Sequence, residues 1–373
     1  MSKIRVTVIP LAVGALVLIG SPAQALSWTT VPSPNEVPGN NHLYGADASD
    51  ATSVWAVGAV LPPRSGTSHG LVLRYDGMNW GFVPRTGLPG DETLRAVDAV
   101  SATDVWVVGD NHAGFIGSNT VAAHWNGTTW TREPTPNGNP SGFNHLNGVA
   151  AAGGTVWAVG TYVDPTSSIN RRKLIFQRTG GSWRVSAAPR VATFEHLAAV
   201  DATGPTDAWA VGSASSDPQN MRVPLALRWN GTNWASMAPP APAGTALAGV
   251  DARTAGDVWA VGSSTSAGGA QPYVARFNGT SWSRVATPTI AGGGELTDVV
   301  ALSSSAVVAV GRSNGAPLVL RWNGTSWTRE ITPGSSNPFI TGAAAAGPSA
   351  VWAVGYRFEL NAYSNRTLTM LGA

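Results

Sequence analysis

The chain has 373 residues, of which 43% are hydrophobic and only 12% are charged, about half the ~25% usual for soluble domains. This apolar content is enough for a sizeable core and excludes a disordered or coiled-coil chain. The sequence contains no cysteine, which excludes disulfides, thiolate metal sites and cysteine nucleophiles.

The first 25 residues have the three regions of a secretory signal peptide. Lys3 and Arg5 precede an apolar run from Val6 to Ile19, and Ala23-Gln24-Ala25 supplies a cleavage site of small residues. We therefore expect cleavage after Ala25 and a secreted, extracellular protein without a membrane anchor, because the run is short for a spanning helix. Removing Lys3 and Arg5 from the 23 basic residues leaves 21, against 21 acidic residues. This balance gives no support for nucleic-acid binding, which uses a dense positive surface.

The rest of the chain contains seven copies of one sequence repeat. The pentapeptide Val54-Trp55-Ala56-Val57-Gly58 recurs at intervals of about 50 residues, a spacing typical of propeller repeats. Its later copies are centred on Trp106, Trp157, Trp209, Trp259, Val308 and Trp352. Six copies are followed by a segment of the type Arg-Trp-Asn-Gly-Thr-Ser-Trp, which ends at Trp80, Trp130, Trp183, Trp234, Trp282 and Trp327.

Each repeat is predicted to form four short strands, rich in valine, tryptophan and leucine and bounded by turn residues. Asn-Gly or Asp-Gly between the third and fourth strands indicates a tight hairpin, because a type I′ turn needs positive φ at both central residues. Four antiparallel strands per repeat are typical of a β-propeller blade. The sequence thus predicts an all-β, seven-bladed propeller that occupies residues 26–373 as a single domain. We expect the blades at 42–80, 93–130, 145–183, 196–234, 246–282, 295–327 and 339–373 plus 26–30.

The two ends of the chain are predicted to share one blade. The seventh repeat stops at Ala373 after three strands, and residues 26–30, around Trp28, have the sequence of a fourth strand. We expect this segment to complete the last blade. Closing the ring in this way removes the exposed strand edges between the first and last blades.

The order Val-Trp-Ala-Val-Gly, variable loop, Arg-Trp-Asn-Gly-Thr-Ser-Trp resembles a kelch-type repeat over nearly all of residues 26–373. It departs from that pattern in having one glycine rather than two after the second strand. It is also similar to the propeller repeats of secreted actinobacterial proteins, some of which are lectin-like or adaptor parts of extracellular toxin particles. The resemblance implies a bacterial, secreted interaction protein.

Most conspicuous residues have a structural interpretation. All tryptophans fall on repeat positions, which predicts packing between blades; the alternative is one sugar-stacking site in each gap between blades. Two further positions repeat and predict paired side chains between strands, because interior charges are normally paired. The first position holds Arg74, Arg228, Arg276 and Arg321, with His124 and Gln177 in two blades, and the second holds Asp104, Asp207 and Asp257.

Candidate binding residues lie on the loops that differ between blades, since variable loops on a rigid scaffold usually carry function. These loops join the second strand to the third, or one blade to the next, and we call their side of the ring the long-loop face. The opposite side, with the short turns, is the hairpin face. The candidates are Tyr162, Arg171, Arg172, Arg222, Tyr356, Arg357, Phe358 and Tyr363, together with His42, His145 and His196.

The three histidines precede the first strands of three blades, so we expect them at one mouth of the central channel. They have no carboxylate partners at fixed spacing, and the sequence predicts neither a metal site nor a cofactor. No catalytic set converges. We therefore predict a monomeric, non-catalytic binding module for an extracellular protein or carbohydrate.

Two alternatives remain open. The first is an extracellular hydrolase or lyase that acts on glycans at the channel mouth, because glycosidases need two carboxylates across the scissile bond. Its acid–base candidates are Glu195, Glu295 and Glu359 with His145 or His196. The second alternative is a lectin-like component of a secreted bacterial toxin assembly.

Overall fold

A computed structural model describes residues 25–62, 67–112, 117–140, 142–167, 170–216, 221–266, 268–335 and 337–373. In these ranges the chain forms seven four-stranded antiparallel sheets. Each first strand packs against the first strands of the two neighbouring sheets, so that the sheets form a ring. The predicted seven-bladed propeller is confirmed. All but the last residue of the predicted signal peptide lies outside the described ranges.

The strands follow the repeats in chain order. The first strand in the chain, β1 (Trp28–Thr30), is the outermost strand of blade 7. Blades 1 and 2 contain β2 (Asn40–Asp50), β3 (Ser53–Leu61), β4 (His69–Tyr75), β5 (Trp80–Phe82), β6 (Glu92–Ser101), β7 (Asp104–His112), β8 (Ser118–Trp125) and β9 (Trp130–Glu133). Blades 3 and 4 contain β10 (Asn144–Ala152), β11 (Thr155–Val163), β12 (Arg171–Thr179), β13 (Ser182–Val185), β14 (Phe194–Gly204), β15 (Asp207–Ser215), β16 (Val223–Trp229) and β17 (Trp234–Ser236).

Blades 5 and 6 contain β18 (Thr245–Thr254), β19 (Asp257–Ser266), β20 (Gly269–Phe277), β21 (Trp282–Val285), β22 (Glu295–Ser303), β23 (Ala306–Ser313), β24 (Ala316–Trp322) and β25 (Trp327–Arg329). Blade 7 is completed by β26 (Pro338–Ala345), β27 (Val351–Glu359) and β28 (Ser364–Gly372), with a 3₁₀ turn at Leu360–Ala362. No helix among the described residues is both long enough and apolar enough to cross a membrane.

The ring closes as the sequence predicts. Strand β1 pairs antiparallel with β28, with Trp28 opposite Gly372. The buried carboxylate of Glu330 fixes this strand, because its Oε2 accepts hydrogen bonds from the Leu26 backbone N–H (3.1 Å) and from Trp28 Nε1 (3.2 Å). The N-terminal strand is thereby attached both to blade 7 and to the loop that follows blade 6.

Tryptophans form the packing between blades. All sixteen are buried. The second-strand tryptophan of one blade meets, edge to face, the tryptophan that starts the fourth strand of the next blade. Ring centroids are 5.1 Å apart for Trp352 and Trp80, and 5.1 Å apart for Trp209 and Trp282, within the range of favourable aromatic pairs. Because none of these rings is exposed, the structural interpretation holds and the sugar-stacking alternative fails.

The predicted pairs between the arginine position and the aspartate position form in the blades that have a charged residue at both positions. Arg228 Nε lies 2.8 Å from Asp207 Oδ1, and Arg276 Nε lies 2.8 Å from Asp257 Oδ1. His124 replaces the arginine in blade 2, where its Nε2 is 2.8 Å from an Asp104 oxygen. Each of these pairs ties the third strand of a blade to the start of its second strand.

The glycine that ends each pentapeptide is explained by a bulge in the neighbouring first strand. In blade 1 the register between β2 and β3 shifts between Leu43 and Gly45. A Cβ atom at Gly58 would lie 1.8 Å from the carbonyl oxygen of His42, a distance that no side chain tolerates. A bulge redirects the side chains that follow it, and in blade 1 the residues after it, Ala46 and Asp47, line the central channel.

Candidate functional site

The first strands of the blades enclose a central channel of about 330 Å³. Five aspartates line it, namely Asp47, Asp98, Asp201, Asp251 and Asp298. Each carboxylate accepts a hydrogen bond from a backbone N–H in the first strand of the next blade. For example, Asp47 accepts from Ala99 at 2.7 Å, and Asp298 accepts from Ala343 at 2.9 Å. These carboxylates therefore connect neighbouring blades along the channel wall.

Burial makes these carboxylates hard to ionise. It raises the pKa of Asp47 to about 6 and that of Asp298 to about 7. It also raises the pKa of Asp201. The pKa values of Asp98 and Asp251 rise well above the usual range, through burial first and then through the neighbouring carboxylates. In the described part of the chain, no three histidine, aspartate or glutamate side chains are grouped to hold a metal ion.

These five aspartates are not among the site residues predicted from the sequence. Four of them occupy the same position, shortly after the first-strand bulge, in the recurring pattern of a small or β-branched residue, aspartate and alanine. An acid that recurs inside an otherwise apolar strand was the available signal. Asp298 lies two positions earlier in its strand, at the bulge itself, and breaks that pattern.

At the mouth on the long-loop face, His42 belongs to an ordered stack of rings. Asn365 Nδ2 donates to His42 Nε2 at 2.7 Å, which leaves the proton of His42 on Nδ1, 3.1 Å from the hydroxyl of Tyr44. The imidazole stacks on Tyr356 at 4.0 Å, and Tyr356 stacks on Phe339 at 4.9 Å. Burial lowers the pKa of His42 to about 4, so this imidazole is neutral near pH 7.

The other two predicted mouth histidines have different partners. His145 Nδ1 lies 3.1 Å from Asp110 Oδ1, and Arg95 binds the same oxygen. His196 Nδ1 lies 2.8 Å from the hydroxyl of Thr161 in blade 3. Burial, followed by the nearby guanidinium groups, lowers the pKa of His196 to about 4. The three histidines thus have separate local contacts rather than a shared ligand position.

The remaining candidates differ in their exposure. Arg172 is bound to Asp164, with its Nε 2.7 Å from Oδ2. Tyr162 packs against the core between blades 2 and 3. Tyr363 is 85% exposed. Arg171 and Arg222 are exposed, whereas Arg357 and Phe358 are half-buried.

The candidates fall into two sectors of the long-loop face. One sector, over blades 3 and 4, contains Arg171, Arg222, His145 and His196; the second, over blades 7 and 1, contains Tyr356 and His42.

Each glutamate considered for acid–base chemistry is held in an ion pair. Glu195 is 2% exposed, and its Oε1 lies 2.7 Å both from Lys173 Nζ and from the Val191 backbone N–H. Glu295 pairs with Arg312 at 2.5 Å, and Glu359 pairs with Arg366 at 3.4 Å. The three glutamates thus have separate cationic partners.

The hairpin face is uniform by comparison. In four blades the side-chain oxygen of the turn asparagine accepts hydrogen bonds from the backbone N–H groups two and three residues further on, and Asp76 does the same in blade 1. The four asparagines are Asn126, Asn230, Asn278 and Asn323. The polar groups of these turns therefore satisfy one another and carry little that distinguishes one blade from the next.

No protein-family model matches the sequence, and no curated protein is similar to it. Solved structures with the same architecture include YCF48 bound to D1 peptide, with 13% identity and a TM-score of 0.57, covering 94% of this chain and 99% of that one. YCF48 from Cyanidioschyzon merolae has 17% identity and a TM-score of 0.58, covering 93% and 98%. An ulvan lyase of a polysaccharide lyase family has 9% identity and a TM-score of 0.50, covering 77% and 80%. These likenesses show the propeller fold alone.

Proposed function

We propose that this protein is a secreted, non-catalytic binding propeller whose long-loop face recognises an extracellular protein partner. The observation that carries the proposal is the contrast between the two faces. The long-loop face presents exposed side chains that differ between blades, such as Arg171, Arg222 and Tyr363. The turns of the hairpin face repeat one hydrogen-bonded motif. Arginine and aromatic side chains are the types that contribute most to binding interfaces.

The state of the acidic side chains supports binding rather than catalysis. Glu195, Glu295 and Glu359 are engaged by cations, and the channel aspartates accept hydrogen bonds from backbone N–H groups. A glycosidase needs one acid and one base free to face the scissile bond. Among the described residues, the glutamates weighed for that chemistry offer no such free pair.

A protein ligand is favoured over a carbohydrate. A structure with the same fold, YCF48, is described as bound to a peptide, and all tryptophans of the present chain are buried, so none is available for stacking on sugars. The secreted location rests on the signal-peptide pattern of residues 1–25. The kinship to kelch-type and actinobacterial propeller repeats rests on the repeat pattern. The secreted location and this kinship are both parts of the proposal.

Affinity capture tests the proposal. The tagged mature chain is incubated with culture fluid of its host, and bound material is analysed for protein and for carbohydrate. Tyr363→Asn removes an exposed ring at a residue whose φ of 45° asparagine tolerates. Met78→Thr is the matched control on the hairpin face, because four other blades carry threonine at that turn position.

We expect one protein partner in stoichiometric amount, retained by Met78→Thr and weakened by Tyr363→Asn. Capture of a polysaccharide alone would replace the protein partner by a glycan. Cleavage of that polysaccharide would overturn the non-catalytic assignment.

A further inference from the structure

We infer that the sector of blades 3 and 4 on the long-loop face binds an acidic peptide segment that also carries apolar side chains. The inference rests on the proposed binding function and specifies its ligand. The sector combines two exposed arginines with four exposed apolar residues, and we call this set the basic–apolar patch. It consists of Phe143, Arg171, Val191, Met221, Arg222 and Val223.

The charged residues that the structure describes in this sector leave a positive surplus. Asp110 is engaged by Arg95 and His145, and Glu195 is engaged by Lys173. Among the described residues, no carboxylate lies within 4.0 Å of the guanidinium groups of Arg171 or Arg222. Within the described part of the chain, these two arginine charges are exposed and have no paired carboxylate, so they attract an anionic ligand.

The apolar members are unusually exposed for their type. Phe143 is 46% exposed, Met221 is 65% exposed and Val223 is 46% exposed. An anionic polysaccharide has no apolar side chains to cover them, whereas a peptide can place carboxylates on the arginines and apolar side chains on these residues. Interfaces between proteins commonly combine aromatic, methionine and arginine side chains in this way.

The blade 3 half of the patch, Phe143 and Arg171, is held by hydrogen bonds and strand register. The Val163 N–H donates to the Phe143 carbonyl at 3.0 Å, and Val163 pairs with Arg171 in the β11–β12 register. Lys173, two residues further along β12, lies on the same side of the strand as Arg171. Its bond to Glu195 joins blade 3 to blade 4.

The other half of the patch is attached to the same glutamate. The Val191 N–H donates to Glu195 Oε1, and Glu195 pairs with Ala214, which in turn pairs with Val223. Met221 and Arg222 directly precede Val223. Arg171 and Arg222 both lie close enough to His196 to act on its charge. These contacts place the residues of the patch on both sides of the boundary between blades 3 and 4.

Fluorescence anisotropy with defined probes tests the inference. The first probe is a short labelled peptide that alternates glutamate with leucine and phenylalanine. In a second peptide lysine replaces the glutamates, in a third serine replaces the apolar residues, and oligogalacturonate serves as the carbohydrate anion. Arg171→Glu/Arg222→Glu reverses the two patch charges. Arg132→Glu/Arg329→Glu is the matched control, because it reverses two exposed arginines on fourth strands, away from the patch.

We expect the wild-type chain to prefer the acidic apolar peptide over the other three probes. Its Kd should rise at least about tenfold in the patch variant and with added salt, as expected for complementary charges, and should not change in the control variant. The inference is overturned if the peptide does not bind, if both variants weaken it equally, or if oligogalacturonate binds as tightly with the same arginine dependence. If a partner captured from culture fluid still binds the patch variant, the binding function stands and this site is wrong.

Discussion

Replacing Asp298 by asparagine should make the free energy of unfolding less dependent on pH between about pH 5 and about pH 8. Asp298 lies in the channel wall, where its two carboxylate oxygens accept from the Val299 and Ala343 N–H groups at 2.9 Å each. Burial raises its pKa from 3.8 to about 7. Between these two pKa values the folded state keeps a proton on Asp298 that the unfolded chain has released. The free energy of unfolding therefore falls as the pH rises toward 7.

The size of the effect follows from this pKa difference. At about 1.4 kcal/mol for each pH unit, a pKa raised from 3.8 to about 7 makes the ionised carboxylate cost roughly 4 kcal/mol above pH 7. Between about pH 5 and about pH 8, the wild-type chain should lose about 2–3 kcal/mol through this group. Asparagine does not titrate, so the variant lacks this loss. Its single side-chain oxygen keeps one of the two backbone hydrogen bonds, and its amide nitrogen, which only donates, faces the other N–H group, at a cost of about 1–3 kcal/mol that does not vary with pH.

Two histidines also make the stability depend on pH, but they contribute equally to the wild-type chain and to the variant. The pKa values of His42 and His196 are lowered to about 4, so these two groups destabilise the fold as the pH falls below their usual value. Both proteins retain them. The difference between wild type and Asp298→Asn therefore reports Asp298 together with its effect on the neighbouring channel carboxylates.

Equilibrium urea unfolding followed by tryptophan fluorescence measures this difference across the pH range. Asp76→Asn is the control, because Asp76 is exposed on the hairpin face and asparagine fills the same turn position in four other blades. Hydrogen bonds from the Asn79 and Met78 N–H groups lower the pKa of Asp76, so this group titrates at acidic pH and its replacement should leave the pH dependence above about pH 5 unchanged. Equal pH slopes for wild type and Asp298→Asn would refute the reasoning about buried channel carboxylates.

Two further predictions concern the ring and its charge pairs. Trp28→Ala should lower the free energy of unfolding by about 3–5 kcal/mol, since Trp28 is buried against Gly372, and should promote aggregation through the exposed edge of β28. Thr29→Ala, at an exposed residue of the same strand, should have little effect. Equal unfolding midpoints for the two variants would contradict the ring closure through β1. Asp257→Ala should cost about 3 kcal/mol, because Asp257 binds both Arg253 and Arg276 and its side chain is 7% exposed. Asp104→Ala, at a side chain 46% exposed, should cost less than about 1 kcal/mol. Equal losses in urea unfolding would show that burial does not set the strength of these pairs.

The fold could be predicted because local signals repeat in every blade. The pentapeptide marks the second strand, and Asn-Gly marks the turn before the fourth strand. The strand around Trp28 was recognisable because it matches the fourth strands and the last repeat lacks one. The first-strand bulge was not predictable, since nothing in a single strand shows that its partner carries a glycine against which its carbonyl oxygen packs.

The site could be predicted only in part. Loop variability pointed to the long-loop face, and the arginine and aspartate positions indicated the pairs within blades. The channel aspartates were missed because an acid in an apolar strand shows its role only when seven first strands are brought around one axis. Contacts such as Glu195 with Lys173 join different blades, and their geometry depends on how neighbouring blades pack, which no local pattern encodes.

Blocking one face at a time tests the central claim most directly. The chain contains no cysteine, so a single engineered thiol is unique and can be joined to a bulky polyethylene glycol maleimide. Tyr363→Cys and Arg222→Cys place the polymer on the long-loop face, and Met78→Cys, at a residue 77% exposed, places it on the hairpin face.

Binding of the captured partner is then measured before and after labelling. Labelling at position 363 or 222 should abolish binding, and labelling at position 78 should leave it intact. Loss of binding only after labelling at position 78 would place the interface on the hairpin face and contradict the account.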